Sequence, residues 1–229
     1  MLRLERNQCR RIDDTVVQER RVTLLVDQER VVDTVCSPGM LRELAVGHLF
    51  GSGRIRALSD VASVDVEGGT VMVTMNPAVG RVDSKTLPGI ARSPFVTSRD
   101  GVQRATMAAE RHGALFRATG GTHLAAVVPT GSTGIYVEDV SRTCALEKAL
   151  GSALLAGCDF GWSMLVVTSR VPLGFVRSAA RAGIPVVVAV SAPTYQAVEE
   201  AERVGICLCG FARGERLNVY SHAWRVGLE

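Results

Sequence analysis

The stretch RATGGTH, residues 117–123, sets Gly120 and Gly121 between Thr119 and Thr122, with His123 following. Paired glycines permit positive φ and let backbone N–H groups converge on an anion; they serve equally as an ordinary turn into the apolar run LAAVV. Three further loops carry related chemistry, each after an apolar run with the character of a strand. TSR (168–170) supplies Ser169 and Arg170, and SAPT (191–194) supplies Ser191, Ala192, Pro193 and Thr194. FARGER (211–216) supplies Phe211, Ala212, Arg213, Gly214, Glu215 and Arg216. Fork-shaped guanidinium donors suit a phosphate. SAPT also opens a helix pattern, with Ser191 or Ala192 near the cap and Pro193 near the first turn, so free amides and the helix dipole favour an anion there. The plainer readings are a Ser-x-Pro cap, a hairpin turn at Gly214 and solvated arginines.

Glu138 and Asp139 close another strand pattern, and Arg142, Glu147 and Lys148 follow on a helix. Two carboxylates can divide acid and base roles, but the adjacent basic residues favour salt bridges. His48 flanks an apolar helix face, the usual setting of a structural histidine. Six cysteines (Cys9, Cys36, Cys144, Cys158, Cys207, Cys209) lack CxxC spacing and read mainly as small core residues kept reduced. Cys207 and Cys209 share one strand face, yet no third and fourth ligand is evident nearby, so no metal site is assigned.

These loops need elements to position them. Residues 22–35 read as a hairpin, and 37–53 as a helix with Ser37 as N-cap, Pro38 at the first helical position and Gly51 or Gly53 as stop. VASVDVEGGTVMVTM (61–75) is a second hairpin, turning at a glycine pair. Residues 76–101 are rich in proline and glycine without periodicity and read as a long loop; 102–113 follow as a helix. From residue 124 the pattern alternates: strand LAAVV, strand IYVED, helix 142–156, strand MLVVTS, helix 172–182, strand IPVVVAV, helix 193–204 and strand ICLCGF. Continuous apolar strands between amphipathic helices predict a partly parallel sheet buried on both faces. Ligands of such sheets bind beyond the carboxyl ends of the strands, where TSR, SAPT and FARGER fall.

The 229 residues allow a small N-terminal α+β domain (1–101, including the long loop) and an α/β domain (102–229). With 47% hydrophobic and 21% charged residues the chain reads as globular, and no apolar run reaches bilayer length. The N-terminus is charged from its third residue without an apolar h-region, so the expected compartment is the cytoplasm. A net charge of +3 and 5% aromatics give no basis for nucleic-acid binding. Arg3, Arg6, Arg10, Arg11, Arg20 and Arg21 read as a solvated, fraying arm.

Taken together, RATGGTH, EDVSR…ALEKALG, ARAGIPVVVAVSAPT and GICLCGFARGERLNVYSHAWRV, preceded by SPGMLRELAVGHLFGSGRI, resemble the formate dehydrogenase accessory sulfurtransferases of the FdhD type. The resemblance runs from about residue 22 to the end. It implies a cytidine-deaminase-like three-layer α/β domain with a mixed sheet, a small N-terminal domain, and a cytoplasmic homodimer. It also implies that the protein carries sulfur from a cysteine desulfurase to the molybdenum bis(molybdopterin guanine dinucleotide) cofactor for delivery to formate dehydrogenase, with no membrane or nucleic-acid partner. The family's cofactor-binding stretch aligns with Phe211–Arg216, and RATGGTH falls in the same pocket. The family's persulfide sits on a cysteine of a CxxC loop, whereas the matching stretch here, GRVDSKTLPGIARSPF, has no cysteine, so no catalytic residue is assigned. Ser141, Thr143 and Cys144 stand where the family has glycine, histidine and asparagine, TSRVPLG replaces SGRxSxE, and Val190 replaces an arginine. Zinc-deaminase chemistry is excluded, since neither H-x-E nor P-C-x-x-C occurs. Two functions stay open: an accessory protein that binds the cofactor and assists its sulfuration, and a non-catalytic carrier of the guanine nucleotide or molybdopterin.

Overall fold

The computed structural model describes residues 1–6, 8–77 and 93–228. Chain entry is a hairpin of β1 (Leu2–Glu5) and β2 (Gln8–Arg11), exposed throughout. It replaces the expected fraying arm because Glu5 lies near both Arg3 and Arg10, bonding Arg10 at 3.2 Å, and so offsets the opposed arginine pair.

The two predicted hairpins form and share a sheet. β3 (Arg20–Val26) turns into β4 (Glu29–Cys36) through Asp27 and Gln28, both at positive φ, and β5 (Val61–Glu67) turns into β6 (Thr70–Met75) at Gly68. The order is β4-β3-β6-β5, with β3 and β6 parallel. Alternation puts Val22, Leu24, Val71 and Val73 inward.

Helix α1 (Leu41–Ser52) starts four residues later than the expected Ser37 cap. Ser37 cannot cap, because its amide donates to Asp139, its carbonyl accepts from Lys148 and its hydroxyl accepts from the Val140 amide. The helix stops at Gly53, φ 76°, as a left-handed C-cap. The long loop lies mostly outside the described residues, and α2 (Arg99–His112) begins before the predicted 102, capped by the Ser98 hydroxyl. The short α3 (Ala114–Thr119) follows.

The larger sheet comprises β7 (His123–Pro129), β8 (Ile135–Asp139), β9 (Ser163–Val167), β10 (Val186–Ala189), β11 (Cys207–Arg213) and β12 (Arg216–Val219), ordered β12-β11-β10-β9-β7-β8. β9, β10 and β11 run parallel; the others pair antiparallel, so the sheet is mixed. β12 is the strand returning from the hairpin turn read at Gly214, although its RLNV is too polar to signal a strand by itself. Helices α4 (Arg142–Leu155), α5 (Leu173–Ala182) and α6 (Tyr195–Val204) cover one face and α2 the other, giving three layers. Side chains alternate between them: Ala125, Val127, Leu165, Val187 and Leu208 join the first core, and Leu124, Ala126, Val166, Val188 and Cys209 the second.

The smaller sheet and α1 are not separately cored. One buried cluster runs from Val22 and Leu24 through α1 to α4, α5 and Leu208. It is continuous because α1 and α4 cross with their backbones touching: a Cβ on Gly47 would lie 1.7 Å from the Glu147 carbonyl oxygen, and one on Gly151 would lie 1.9 Å from that of Glu43. Gly151→Ala therefore destabilises the protein by about 3 kcal/mol or more through overpacking. Gly174→Ala, where the new methyl meets open space, leaves stability unchanged or raises it by up to about 1 kcal/mol. Urea unfolding followed by circular dichroism checks this, and equal midpoints for the two variants would refute it.

Candidate functional site

Parallel strands followed by crossover helices place every helix N-terminus beyond the same sheet edge. Here α5 follows β9 and α6 follows β10, and α4 begins beside the end of β8, so three positive dipole ends lie along the same end of the sheet. Ser141 caps α4 by accepting from the Cys144 amide at 3.4 Å. Thr194 caps α6, accepting from Ala197 at 3.4 Å, and thereby displaces Ser191, Ala192 and Pro193 from the predicted cap and first turn. Pro172 starts α5 with no side-chain cap.

Backbone bonds bind the rim loops together. Thr168 donates its amide to the Leu124 carbonyl (3.0 Å) and accepts the Leu124 amide on its hydroxyl (2.9 Å), joining the start of β7 to the end of β9. Val171 and Pro193 form a parallel bridge, with the Val171 amide on Ala192 and the Thr194 amide on Val171. The Phe211 amide bonds the Ser191 carbonyl at 3.1 Å. Gly210 permits this approach, since a Cβ there would lie 2.9 Å from Pro193 Cδ. Beyond it β11 bulges, and Phe211 sits at φ 52°, a left-handed conformation costly for a non-glycine residue.

The rim thus collects His123, Ser169, Arg170, Ser191, Ala192, Pro193, Thr194 and Phe211. Ser169 is buried with its hydroxyl on the Arg170 carbonyl, while the Arg170 side chain is exposed. Arg213, Gly214, Glu215 and Arg216 form the β11–β12 hairpin turn, with Gly214 at φ 54°. That turn is anchored to α2, Arg99 donating to the Glu215 carbonyl and Gln103 to that of Gly214. Arg216 stacks over the Phe211 ring at 4.7 Å, which links the turn to the bulge. Ala212 is buried beneath it.

RATGGTH is a helix end followed by a strand start. Arg117–Thr119 close α3, Gly120 is its left-handed C-cap (φ 67°), and His123 opens β7. Its hydroxyls are engaged internally: Thr119 with the Leu115 carbonyl and the Gly121 amide, Thr122 with Glu138. Gly121 lies under Val17, a close approach that a side chain would block at 2.7 Å.

The carboxylates are structural. Glu138 accepts the amides of Leu115 and Phe116, capping α3 rather than pairing with Arg142 or Lys148. Asp139 and Lys148 form a fully buried ion pair at 2.6 Å, as the salt-bridge reading anticipated, and Lys148 also donates to the Ser37 carbonyl. His48 bonds Glu147 at 2.8 Å across α1 and α4. Val190, where an arginine was expected, is buried. Among the described residues no three potential ligands gather into a metal site, and no helix is long and apolar enough to cross a membrane.

His123 carries the titratable imidazole of the rim; it is exposed, and partial desolvation together with the Arg142 charge holds its pKa below the ordinary value. Removing that charge in Arg142→Ala raises the His123 pKa, readable by proton NMR; an unchanged titration would show that the two do not interact. Lys148→Met leaves Asp139 charged and buried, costing about 3–5 kcal/mol in urea unfolding. Lys148→Met with Asp139→Leu recovers much of that loss.

Comparison with known proteins places these features in context. The profile of the FdhD/NarQ family matches residues 17–88 and 80–227. The chain is 30% identical over 235 residues to the sulfur carrier protein FdhD of Methanothermobacter thermautotrophicus, covering 95% of this chain and 93% of that one. It is 33% identical over 261 residues to the protein of that name from Anaeromyxobacter dehalogenans, covering 95% and 90%. The crystal structure of a putative formate dehydrogenase accessory protein from Desulfotalea psychrophila superposes with a TM-score of 0.85 at 23% identity, over 99% of this chain and 96% of that one.

Proposed function

The chain belongs to the FdhD/NarQ family, and from that premise we propose that it serves formate dehydrogenase as an accessory protein whose strand-end rim holds the molybdenum bis(molybdopterin guanine dinucleotide) cofactor as cargo. What supports this reading is that three helix N-termini and the loops carrying Arg170, Arg213 and Arg216 lie at one end of the sheet, with several of those loops hydrogen-bonded to one another. Backbone amides at helix starts donate to a pyrophosphate's oxygens, and guanidinium forks add bidentate contacts. Phe211, half-buried and held out of line by the bulge, offers a face for a planar base. The cargo brings its own molybdenum chemistry; this chain binds and orients it. In this reading the protein works in the cytoplasm as a homodimer and receives sulfur from a cysteine desulfurase.

The sequence favours a second reading of the same site. Residues 76–101 hold no cysteine, so that loop offers no thiol to carry a persulfide. A carrier that binds the guanine nucleotide or molybdopterin moiety and delivers it without transferring sulfur needs no such residue.

Calorimetric titration with guanosine diphosphate tests the rim. The parent binds, and Arg170→Ala and the double variant Arg213→Ala/Arg216→Ala each weaken binding about tenfold or more, the loss of one or two charge-assisted hydrogen bonds. A parent that does not bind refutes the rim as a nucleotide site. Incubation with a cysteine desulfurase and mass measurement separates the two readings: sulfur on a cysteine supports transfer, and unmodified thiols support the carrier.

A further inference from the structure

The formal charge of +3 is not spread over the molecule. Arg3, Arg6, Arg10 and Arg11 against Glu5 give residues 1–11 a charge of +3, and the rest of the chain is balanced, with 22 Lys and Arg against 22 Asp and Glu. The whole excess therefore sits on the β1–β2 hairpin, whose eight strand residues are all exposed.

Cross-strand register sorts the hairpin's side chains onto two faces. Leu2 opposes Arg11 and Leu4 opposes Cys9 on one; Arg3 opposes Arg10 and Glu5 opposes Gln8 on the other. Leu2 and Leu4 are 67% and 75% exposed, so the first face shows water two large aliphatic groups beside a guanidinium. The second is tied by the Glu5–Arg10 pair at 3.2 Å and keeps a net positive charge. A two-stranded hairpin bathed by water on both sides is marginally stable by itself. Its position is nevertheless restricted. Val17 lies against Gly121, where a Cβ would come within 2.7 Å of it, which pins the following segment beside the glycine pair at the start of β7. Six residues run from Arg11 to Val17, which keeps the hairpin within roughly 20 Å of that end of the rim. The FdhD/NarQ profile begins at residue 17, so the hairpin lies outside the stretch it matches.

Taking the accessory role proposed above as given, we propose that the β1–β2 hairpin is a docking arm for an acidic protein surface, that of the formate dehydrogenase the chain serves. Charge complementarity selects this partner. Positive charge gathered at one end of an otherwise balanced molecule steers its encounter with an acidic patch. Leu2 and Leu4 then fill an apolar recess and slow dissociation. Nucleic acid is a poorer fit, because residues 1–11 hold no aromatic side chain to stack on a base. A bilayer is poorer too, because the apolar strip holds only two leucines and shares its face with Arg11.

The test immobilises the formate dehydrogenase encoded in the same genome, produced without its cofactor, and follows binding of the full chain by surface plasmon resonance at low and high salt. The parent binds, and its association slows about tenfold as salt rises. Arg3→Glu with Arg10→Glu and Arg11→Glu cuts the association rate about tenfold or more and flattens its salt dependence. Leu2→Ser with Leu4→Ser leaves association near the parent's and speeds dissociation. Both variants keep the parent's circular dichroism and its response to guanosine diphosphate, since none of these residues belongs to the rim. Equal binding by the parent and the charge-reversed chain overturns the docking arm and leaves the accessory role standing. A parent that does not bind the enzyme overturns both. Hairpin-dependent binding to phosphatidylglycerol vesicles or duplex DNA, with none to the enzyme, also overturns the docking arm.

Discussion

The crossing of α1 over α4 is the constraint on which the molecule turns. Gly47 and Gly151 bring the two helix backbones together where any side chain would collide with a carbonyl. That approach lets the inner face of the smaller sheet and the helix layer of the larger one share a single apolar cluster. A small α+β unit on its own would bury too little surface to be stable; fused through this crossing it draws on the core of the larger layer. The polar groups along the seam follow from the same closeness: His48 meets Glu147, and Lys148 reaches the Ser37 carbonyl.

The rim inherits its geometry from that seam. The Ser37–Asp139–Lys148 network lies at the end of β8 and the start of α4, one of the three helix N-termini on the sheet edge. Fixing Ser37 there costs α1 its side-chain cap, and Met40 enters the helix from a left-handed conformation instead. Local helix-capping rules yield to a buried charge, since an unpaired carboxylate in the interior is far more costly than one missing cap. The chain connects its two sheets by the residues that a local reading assigns to helix initiation.

Much of this was legible in residue types. The Gly68–Gly69 turn, the Gly53 stop and the alternation of apolar strands with amphipathic helices gave both hairpins, α1 and the mixed sheet to within a few residues. The strand-end rule placed Arg170, Thr194 and Phe211 on one edge. What local patterns could not reveal is long-range. Gly47 reads as a weak helix former until Gly151 stands opposite it, and Glu138 reads as a candidate acid until two α3 amides are found on it. β12 is signalled only by the turn at Gly214 because an edge strand needs little apolar character, and Thr194 is masked as a cap because Ser191 and Pro193 carry a stronger cap signal than the residue that does the capping.

The same distinction bears on the missing loop cysteine. A sulfur carrier needs a thiolate that a donor protein and a cargo can both reach, which requires an exposed, mobile position as well as a low pKa. Cys144 has the lowered pKa but is enclosed by β4 and α4, whereas Cys9 is exposed on the β1–β2 hairpin. The rim proposed to bind an anion, by contrast, depends on backbone amides and helix ends, which side-chain substitutions such as Val190 leave in place. In the proposed reading, binding rests on features the backbone supplies, while sulfur transfer would need a thiol that residues 76–101 do not contain.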